Sequence, residues 1–270
     1  MQFTTATTAD LKKIENLWTE IFGDSVQFAH FAANICPPEE IYLIKEDDEI
    51  AAMVIAGIDL FAYNKKGFYI FGLATVPQYR GKGYAKQLMQ YVENKKMGEG
   101  YDFILTQPAE ETLFDFYRSM GYDNTVYLRK AVIDIKRNIW TTADFDTATA
   151  SRFKEMRSKF SEDEVVHFSK QGYEKFTEYV YTEGGSTATT KDAYCLYFDD
   201  KDKIVVRDLF ADSTPKALQL LQAVRERTGK ETAEIQLSQN SQLFLGEGKL
   251  VPHCLVKNLG KEVYANLMFD

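Results

Sequence analysis

The sequence has no excess of positive charge and no long apolar run. Its 270 residues carry 32 lysines and arginines against 40 aspartates and glutamates, a formal net charge of −8. Nucleic-acid binding requires positive charge on the protein to attract the phosphates. Because this chain is negatively charged, we expect no nucleic-acid partner. No stretch reaches the roughly 18 apolar residues of a membrane span, and the start, MQFTTATTADLKK, has neither the basic nor the apolar region of a signal peptide. We therefore expect a soluble protein that does not associate with membranes.

Cysteine and histidine are also scarce. The three cysteines are odd in number and far apart, at Cys36, Cys195 and Cys254. This spacing argues against a disulfide framework and favours a reducing, cytoplasmic location. The three histidines are equally scattered, and no histidine or cysteine pair has the spacing of metal ligands, so we expect no metal site.

What is present is enough apolar material, 45% of the residues, for one large core or two ordinary ones. In the first half, apolar periodicity and turn residues predict a helix capped by Thr8, a hairpin, and then strands and helices in alternation: strands 41–44, 50–58, 68–76, 103–105 and 126–135, and helices 85–97 and 110–119. In the second half they predict helices 153–160 and 163–181, a polar loop at 184–190, a hairpin of 193–198 with 204–210, a helix 214–227 and a strand 233–237. This order indicates an α+β fold with a mixed sheet.

The stretch from Tyr69 to Ala85, YIFGLATVPQYRGKGYA, carries the clearest functional pattern. An apolar strand ends at Pro77 and is followed by Gly81 and Gly83, where a helix begins. Glycines let backbone amides turn toward one point, and the free amides of a helix N-terminus add to them, so the pattern predicts a phosphate or pyrophosphate site. The spacing fits neither a nucleotide P-loop nor a dinucleotide fingerprint.

The spacing Gln78-x-x-Gly81-x-Gly83 resembles the acetyl-CoA signature of the GNAT superfamily of N-acetyltransferases. Val76-Pro77 before it and FYRSMGY, residues 116–122, after it fall where that family has its V-x-P and F-Y-x-x-x-G-F/Y segments. The resemblance covers about residues 3–136. It implies the GNAT acyl-CoA N-acyltransferase fold and acetyl-CoA as the co-substrate. The second half repeats the order hairpin, helix, strand, so we expect a catalytic domain at 1–138 and a degenerate GNAT-like domain at 139–270, distantly like the enhanced-intracellular-survival type.

The resemblance also implies roles for individual residues. The main chain at the strand end would receive the pantetheine and the acetyl carbonyl, and amides from Arg80 to Ala85 would bind the pyrophosphate. The predicted cofactor-binding residues are Leu73, Ala74, Thr75, Val76, Gln78, Arg80, Gly81, Lys82, Gly83, Tyr84 and Ala85. Tyr117 stands where the family places a tyrosine that protonates the coenzyme sulfur. The general base stays open: Asp59 and Glu111 are candidates by position, and in some relatives the C-terminal carboxylate, here at Asp270, has this role.

The second half lacks the glycine loop. The corresponding residues 211–215 read Ala-Asp-Ser-Thr-Pro, with Asp212 where a pyrophosphate would bind. We therefore expect one coenzyme site per chain. The resulting hypothesis is an enzyme that acetylates a primary amine of a small molecule, consistent with an acidic surface. A non-catalytic acyl-CoA-binding module and acetylation of a protein amine are the alternatives, and a homodimer is possible.

Overall fold

A computed structural model describes residues 1–145, 149–160 and 164–269. The chain forms two compact units. The first comprises residues 1–124, 167–169 and 255–261, and the second comprises 125–166, 170–254 and 262–270. The domain boundary expected at residues 138 and 139 stays a prediction. Within the described ranges, no helix is long and apolar enough to cross a membrane.

The elements follow one another in the order that the patterns predict, with some additions. Up to residue 118 they are β1 Gln2–Thr5, α1 Leu11–Phe22, α2 Val26–Ala33, β2 Ile41–Glu46, β3 Glu49–Ala62, β4 Lys65–Thr75, α3 Tyr84–Gly98, β5 Phe103–Thr106 and α4 Leu113–Arg118. After it they are β6 Asn124–Asp134, α5 Ala150–Phe160, β7 His167–Phe168, α6 Lys170–Thr182, β8 Gly185–Thr189, β9 Ala193–Asp199, β10 Lys203–Ala211, α7 Thr214–Thr228, β11 Thr232–Ser238 and β12 Lys249–Lys257. The predicted α+β class with a mixed sheet is confirmed.

The first unit is built on a sheet in the order β1, β2, β3, β4, β5, with the end of β12 beside β5. The pairs from β1 to β4 are antiparallel, and β4 and β5 are parallel. Helix α3 lies on this sheet because Leu88, Met89 and Val92 recur on one helical face and are fully buried against strand residues such as Val54 and Ile70. This packing fixes where the N-terminus of α3 lies relative to the end of β4.

The second unit repeats part of this plan. Strands β8, β9 and β10 form an antiparallel set, β10 pairs with β11 in parallel, and β11 pairs antiparallel with β6. Helix α7 packs on them through Leu220, Leu221 and Val224, which are fully buried. The sequence β9, β10, α7, β11 therefore has the same order and strand directions as β3, β4, α3, β5.

Two predictions for the second half need correction: one helix begins later than predicted, and one predicted loop is a strand. The helix expected over 163–181 begins only at Lys170, because Val165 bridges to Tyr264 and Val166 donates its amide to the same residue's carbonyl; Asp163 itself lies outside the described residues. The loop expected at 184–190 is largely strand β8, since the Thr-rich stretch pairs with β9 and buries Ala188. In the first place a bridge to a distant segment decided the local structure, and in the second a hairpin with the next strand did.

Candidate active site

The site forms where two parallel strands separate. Strands β4 and β5 pair from Gly67 and Phe103 to Ile70 and Thr106. Strand β5 ends at Thr106, whereas β4 continues to Thr75 along β3. The backbone of β4 beyond Ile70 therefore leaves its parallel partner and opens a fork, which we call the β4/β5 fork.

A bulge in β4 starts the fork. The register with β3 shifts between the pairs Met53–Ala74 and Ile55–Phe71, so β4 has one residue more than its partner there. Gly72 lies in this bulge with a φ of 61°. A Cβ atom at Gly72 would come within 2.2 Å of Trp18 Cζ3 on α1. Only glycine satisfies both the positive φ and this close ring contact.

The loop after β4 leads the backbone back toward the fork. A short 3₁₀ turn, Pro77–Tyr79, is followed by Gly81 with a φ of 79° and Gly83 with a φ of 76°. Gly83 is the N-cap of α3 and provides no side-chain cap. A Cβ at Gly81 would meet nothing within 4 Å, and one at Gly83 only Gln87 Nε2 at 3.6 Å. The glycines are thus required by backbone conformation, and the space beside them is open to a ligand.

The predicted cofactor-binding residues lie together in this region. Leu73, Ala74 and Thr75 are the last residues of β4, Val76 to Gly83 form the loop, and Tyr84 and Ala85 begin α3. Exposure separates them: Ala74, Val76 and Tyr84 are buried, whereas Gln78, Arg80, Gly81, Lys82 and Gly83 are exposed. The exposed members are the ones that a ligand can reach from solvent.

Three side chains of the loop make specific contacts. Arg80 Nε donates to the Thr75 carbonyl at 3.2 Å, and Lys82 Nζ lies 5.1 Å from the centre of the Tyr79 ring. The Tyr84 hydroxyl donates to Glu46 on β2. That hydrogen bond raises the pKa of Tyr84 and lowers the pKa of Glu46. Tyr84 therefore offers the loop its backbone amide, while its side chain is held by the sheet.

Tyr117 lies on α4 and is buried, with 7% of its surface exposed. Burial raises the pKa of Tyr117, and a polar interaction with the side chain of Thr106, the last residue of β5, opposes part of that rise. Because Thr106 forms the last β4–β5 pair, this interaction associates Tyr117 with the closed end of the fork.

The candidate general bases are not gathered at the fork. Asp59 pairs with Phe68 in the paired part of β4, two residues before Ile70, where the fork opens. This pair is seven residues, or about 23 Å along the strand, from Thr75. Asp59 accepts a hydrogen bond of 2.6 Å from Tyr101 and pairs with Lys66 at 3.1 Å. Glu111 is exposed in the turn before α4, and Asp270 lies outside the described residues. Among the described ranges, no group of three histidine, cysteine, aspartate or glutamate side chains could hold a metal ion.

In the second unit the parallel strands β10 and β11 also separate, but no glycine loop follows β10. β10 and β11 pair in parallel up to Val206 and Ile235. Only Asp212 and Ser213 separate β10 from α7, and no residue of this junction has a positive φ. A cavity of about 740 Å³ lies here, lined by the end of β10, the start of α7 and the loop after β11.

Comparison with known proteins identifies this class of fold. The structure of a GCN5-related N-acetyltransferase from Kribbella flavida matches 94% of this chain and 70% of its own at 17% identity, with a TM-score of 0.73. A GCN5-related N-acetyltransferase from Anabaena variabilis matches 95% and 72% at 14% identity, with a TM-score of 0.74. Eis1 from Mycobacterium abscessus matches 96% and 74% at 10% identity, with a TM-score of 0.69. The fold is therefore that of the N-acetyltransferases, as predicted.

The first half of the chain also matches a family model. Residues 10–122 match the model of the acetyltransferase (GNAT) family. This range contains α1, the β4/β5 fork, the glycine loop and α4. Together with the fold, this match is consistent with a member of the GNAT superfamily, which generally uses acetyl-CoA as co-substrate. No curated protein matches the sequence.

Proposed function

We propose that this protein is an acetyl-CoA-dependent N-acetyltransferase that transfers an acetyl group to the primary amine of a small molecule, by direct attack in a ternary complex. The proposal rests on three features that lie around the end of β4. These are the β4/β5 fork, an uncapped helix N-terminus preceded by two positive-φ glycines, and a buried tyrosine hydroxyl at the closed end of the fork.

The loop suits a coenzyme pyrophosphate. Gly81 and Gly83 turn their amides with positive φ angles, and the first turn of α3 adds free amides and a partial positive charge. The open space at both glycines leaves room for an anion to approach the backbone. Arg80 and Lys82 add positive charge at the exposed side of the loop.

The fork suits the acyl end of the coenzyme. The backbone of Leu73 to Val76 leaves its parallel partner, so those of its polar groups that pair neither with β3 nor with Arg80 are available to hold an extended pantetheine chain and the acetyl carbonyl. Bound acetyl-CoA would supply the thioester whose acetyl group is transferred. Tyr117 would then give a proton to the departing sulfur, and burial keeps this hydroxyl protonated at neutral pH because it raises the pKa.

The acceptor amine must lose a proton before it attacks. A free alkyl ammonium has a pKa of about 10.4, so a carboxylate or a chain of waters has to accept that proton. Asp59 is held at the far end of β3 by Tyr101 and Lys66. Glu111 and the C-terminal carboxylate stay as predictions for this role.

A non-catalytic acyl-CoA-binding module is the second candidate. The environment of Asp59 favours it, because the carboxylate on β3 that was proposed as base lies in the paired part of the sheet and is held by Tyr101 and Lys66. This module would bind acetyl-CoA through the same loop without turnover. Acetylation of a protein amine, a cytoplasmic location and a homodimer stay predictions as well.

The test is a calorimetric titration of the full chain with acetyl-CoA, for the wild type and for Gly83→Asp. The substitution places a carboxylate where the pyrophosphate would bind, so we expect binding at one site per chain that the variant abolishes. Gly23→Asp is the matched control, because Gly23 has a φ of 75° at the end of α1 and also has room for a side chain. It should bind as the wild type does.

The outcomes separate the candidates. Binding together with thiol release in a screen of amine acceptors supports the enzyme. Binding without release for any acceptor supports the binding module. No binding by the wild type contradicts both, and equal binding by wild type and Gly83→Asp contradicts the assignment of the loop.

A further inference from the structure

The cavity of about 740 Å³ in the second unit lies where its parallel strands end. Its lining includes Ala211, the last residue of β10, Ser238, the last residue of β11, and the first residues of α7. Sheets with parallel strands and packed helices bind ligands at this edge, because the loops after the strands supply side chains there. The volume falls within the range of about 300–1,000 Å³ that is usual for small-molecule sites. The proposed acetyl transfer makes no use of this cavity.

Three hydroxyl groups of the lining are held by backbone amides. The side-chain oxygens of Thr214, Ser238 and Ser241 each accept a backbone N–H, at 3.0, 3.2 and 3.3 Å respectively. A hydroxyl also has one proton to donate. In the part of the chain that the structure describes, none of the three hydroxyls donates this proton to another residue. The lining therefore offers three hydrogen-bond donors whose oxygen atoms are already fixed in place.

Asp212 adds an acceptor to this lining. It lies at the junction between β10 and α7. An ionised carboxylate accepts hydrogen bonds and donates none. Within the described ranges the Asp212 carboxylate has no ion pair, since the nearby Lys216 pairs with Asp192 at 2.8 Å instead. The other two charged residues of the lining, Lys159 and Glu164, have partners within the protein. Asp212 is thus the charged acceptor that a ligand can use.

The buried part of the lining is apolar. Leu209, Leu243 and Tyr264 are all buried. The Phe210 ring meets the Tyr264 ring edge to face, with 6.0 Å between their centres. Asp212, by contrast, is exposed. The cavity therefore combines flat apolar surface with donors and one charged acceptor.

We propose that this cavity binds a small neutral polyol of the size of a sugar. Each hydroxyl of a polyol both donates and accepts, so one ligand accepts from the three lining hydroxyls and donates to Asp212. Its C–H groups pack against the Phe210 ring. An ammonium group has donors for Asp212 and no acceptor, whereas a phosphate or carboxylate has acceptors only and is repelled by Asp212. A neutral polyol is the ligand class that satisfies both sides of the lining.

The test is saturation-transfer NMR on the full chain with D-glucose, D-mannitol, myo-inositol and maltose, each at about 10 mM. We expect transfer to at least one of these polyols, whose Kd then follows from a titration. Asp212→Ala removes the charged acceptor and should weaken binding by about tenfold or more. Ser213→Phe places a ring in the lining, at an N-cap where the serine makes no capping bond. It should abolish binding.

The controls separate this site from the rest of the protein. Asp202→Ala removes an exposed aspartate from the turn between β9 and β10, outside the lining, and should bind the polyol as the wild type does. Gly83→Asp should also keep polyol binding, and Asp212→Ala should keep acetyl-CoA binding, so a failure of either proposal is recognised independently. Circular dichroism checks that each variant is folded, and the result of Asp212→Ala decides if Ser213→Phe is not.

Three results would overturn the proposal. The first is no transfer to any of the four polyols, which would mean that the cavity holds water alone. The second is binding that Asp212→Ala leaves unchanged. The third is glucose 6-phosphate binding more tightly than glucose, because a carboxylate in the lining should repel the phosphate.

Discussion

Gly72→Ala probes the bulge that opens the fork. The new methyl group would have to occupy a backbone position with a φ of 61° and would lie 2.2 Å from the Trp18 ring. The Trp18 ring cannot simply turn away. It packs against Phe71 at 5.0 Å and Phe22 at 4.6 Å, and its indole nitrogen donates to Asp24 at 2.8 Å.

The expected cost has two parts. A left-handed backbone angle costs an alanine about 1–2 kcal/mol. Displacement of a packed ring to make room for a methyl group costs about 1–3 kcal/mol. We therefore expect Gly72→Ala to lower the free energy of unfolding by about 2–5 kcal/mol, which is a large part of the stability of an ordinary domain.

Urea unfolding measured by tryptophan fluorescence separates the two parts. Gly23→Ala is the matched control, because Gly23 has a φ of 75° and nothing within 4 Å of its Cβ position. It should lose only the backbone part. Trp18→Leu makes room beside residue 72, so the combination of Trp18→Leu with Gly72→Ala should cost less than the sum of the single changes. Because Trp18→Leu and the double variant lack this tryptophan, their unfolding is followed by circular dichroism.

The reasoning is refuted if Gly72→Ala costs no more than Gly23→Ala, or if its effect and that of Trp18→Leu are additive. Either result would mean that Trp18 does not pack against the bulge. The bulge would then be held by strand pairing alone.

Three further predictions concern the interior of both units. Arg157→Met should cost about 3–5 kcal/mol, because it leaves the Asp208 carboxylate buried without the guanidinium 2.9 Å away. Lys175→Met removes the more exposed ion pair of Lys175 with Glu178 on α6, 3.0 Å long, and should cost at most about 1 kcal/mol. Chemical unfolding of the two variants compares these costs. Burial raises the pKa of Cys36 to about 12, so this thiol should resist iodoacetamide at pH 8 in the native protein and react in guanidinium, and rapid native labelling, followed by mass spectrometry, would contradict its burial. A general acid is active below its pKa and inactive above it. Because the pKa of Tyr117 is raised above the ordinary tyrosine value of 10.0, the pH profile of kcat should show no loss of activity from Tyr117 deprotonation below pH 10.0. A decrease of kcat below pH 10.0 that disappears in Tyr117→Phe would contradict this prediction.

The local features of the site could be predicted from the sequence. Gly83 was expected to open a helix, and the structure makes it the N-cap of α3, which ends one residue beyond the predicted 97. Glycine spacing, a proline stop and apolar periodicity are patterns of residues that are close in the sequence, so a short stretch is enough to predict the loop and the helix.

The features that depend on distant residues could not be predicted. A single Gly72 in an apolar run is a known sign of a bulge, but its reason, the Trp18 ring, comes from a helix 54 residues earlier in the chain. The hydrogen bond of Tyr84 to Glu46 likewise joins separate elements. Asp59 was chosen by its place in the sequence, and strand pairing puts it at the other end of β3 from the loop.

The connection between the strand and the helix differs between the two units, and this difference determines whether each unit can bind a pyrophosphate. Each has a hairpin, a helix and a parallel strand in the same order. In the first unit eight residues, Val76 to Gly83, connect the strand to α3 and include two positive φ angles; in the second only Asp212 and Ser213 do so, with none. A two-residue junction has too few amides to surround a pyrophosphate, and the Asp212 carboxylate would repel one. The helix N-terminus alone is therefore not sufficient, and the expectation of one coenzyme site per chain rests on the longer glycine loop.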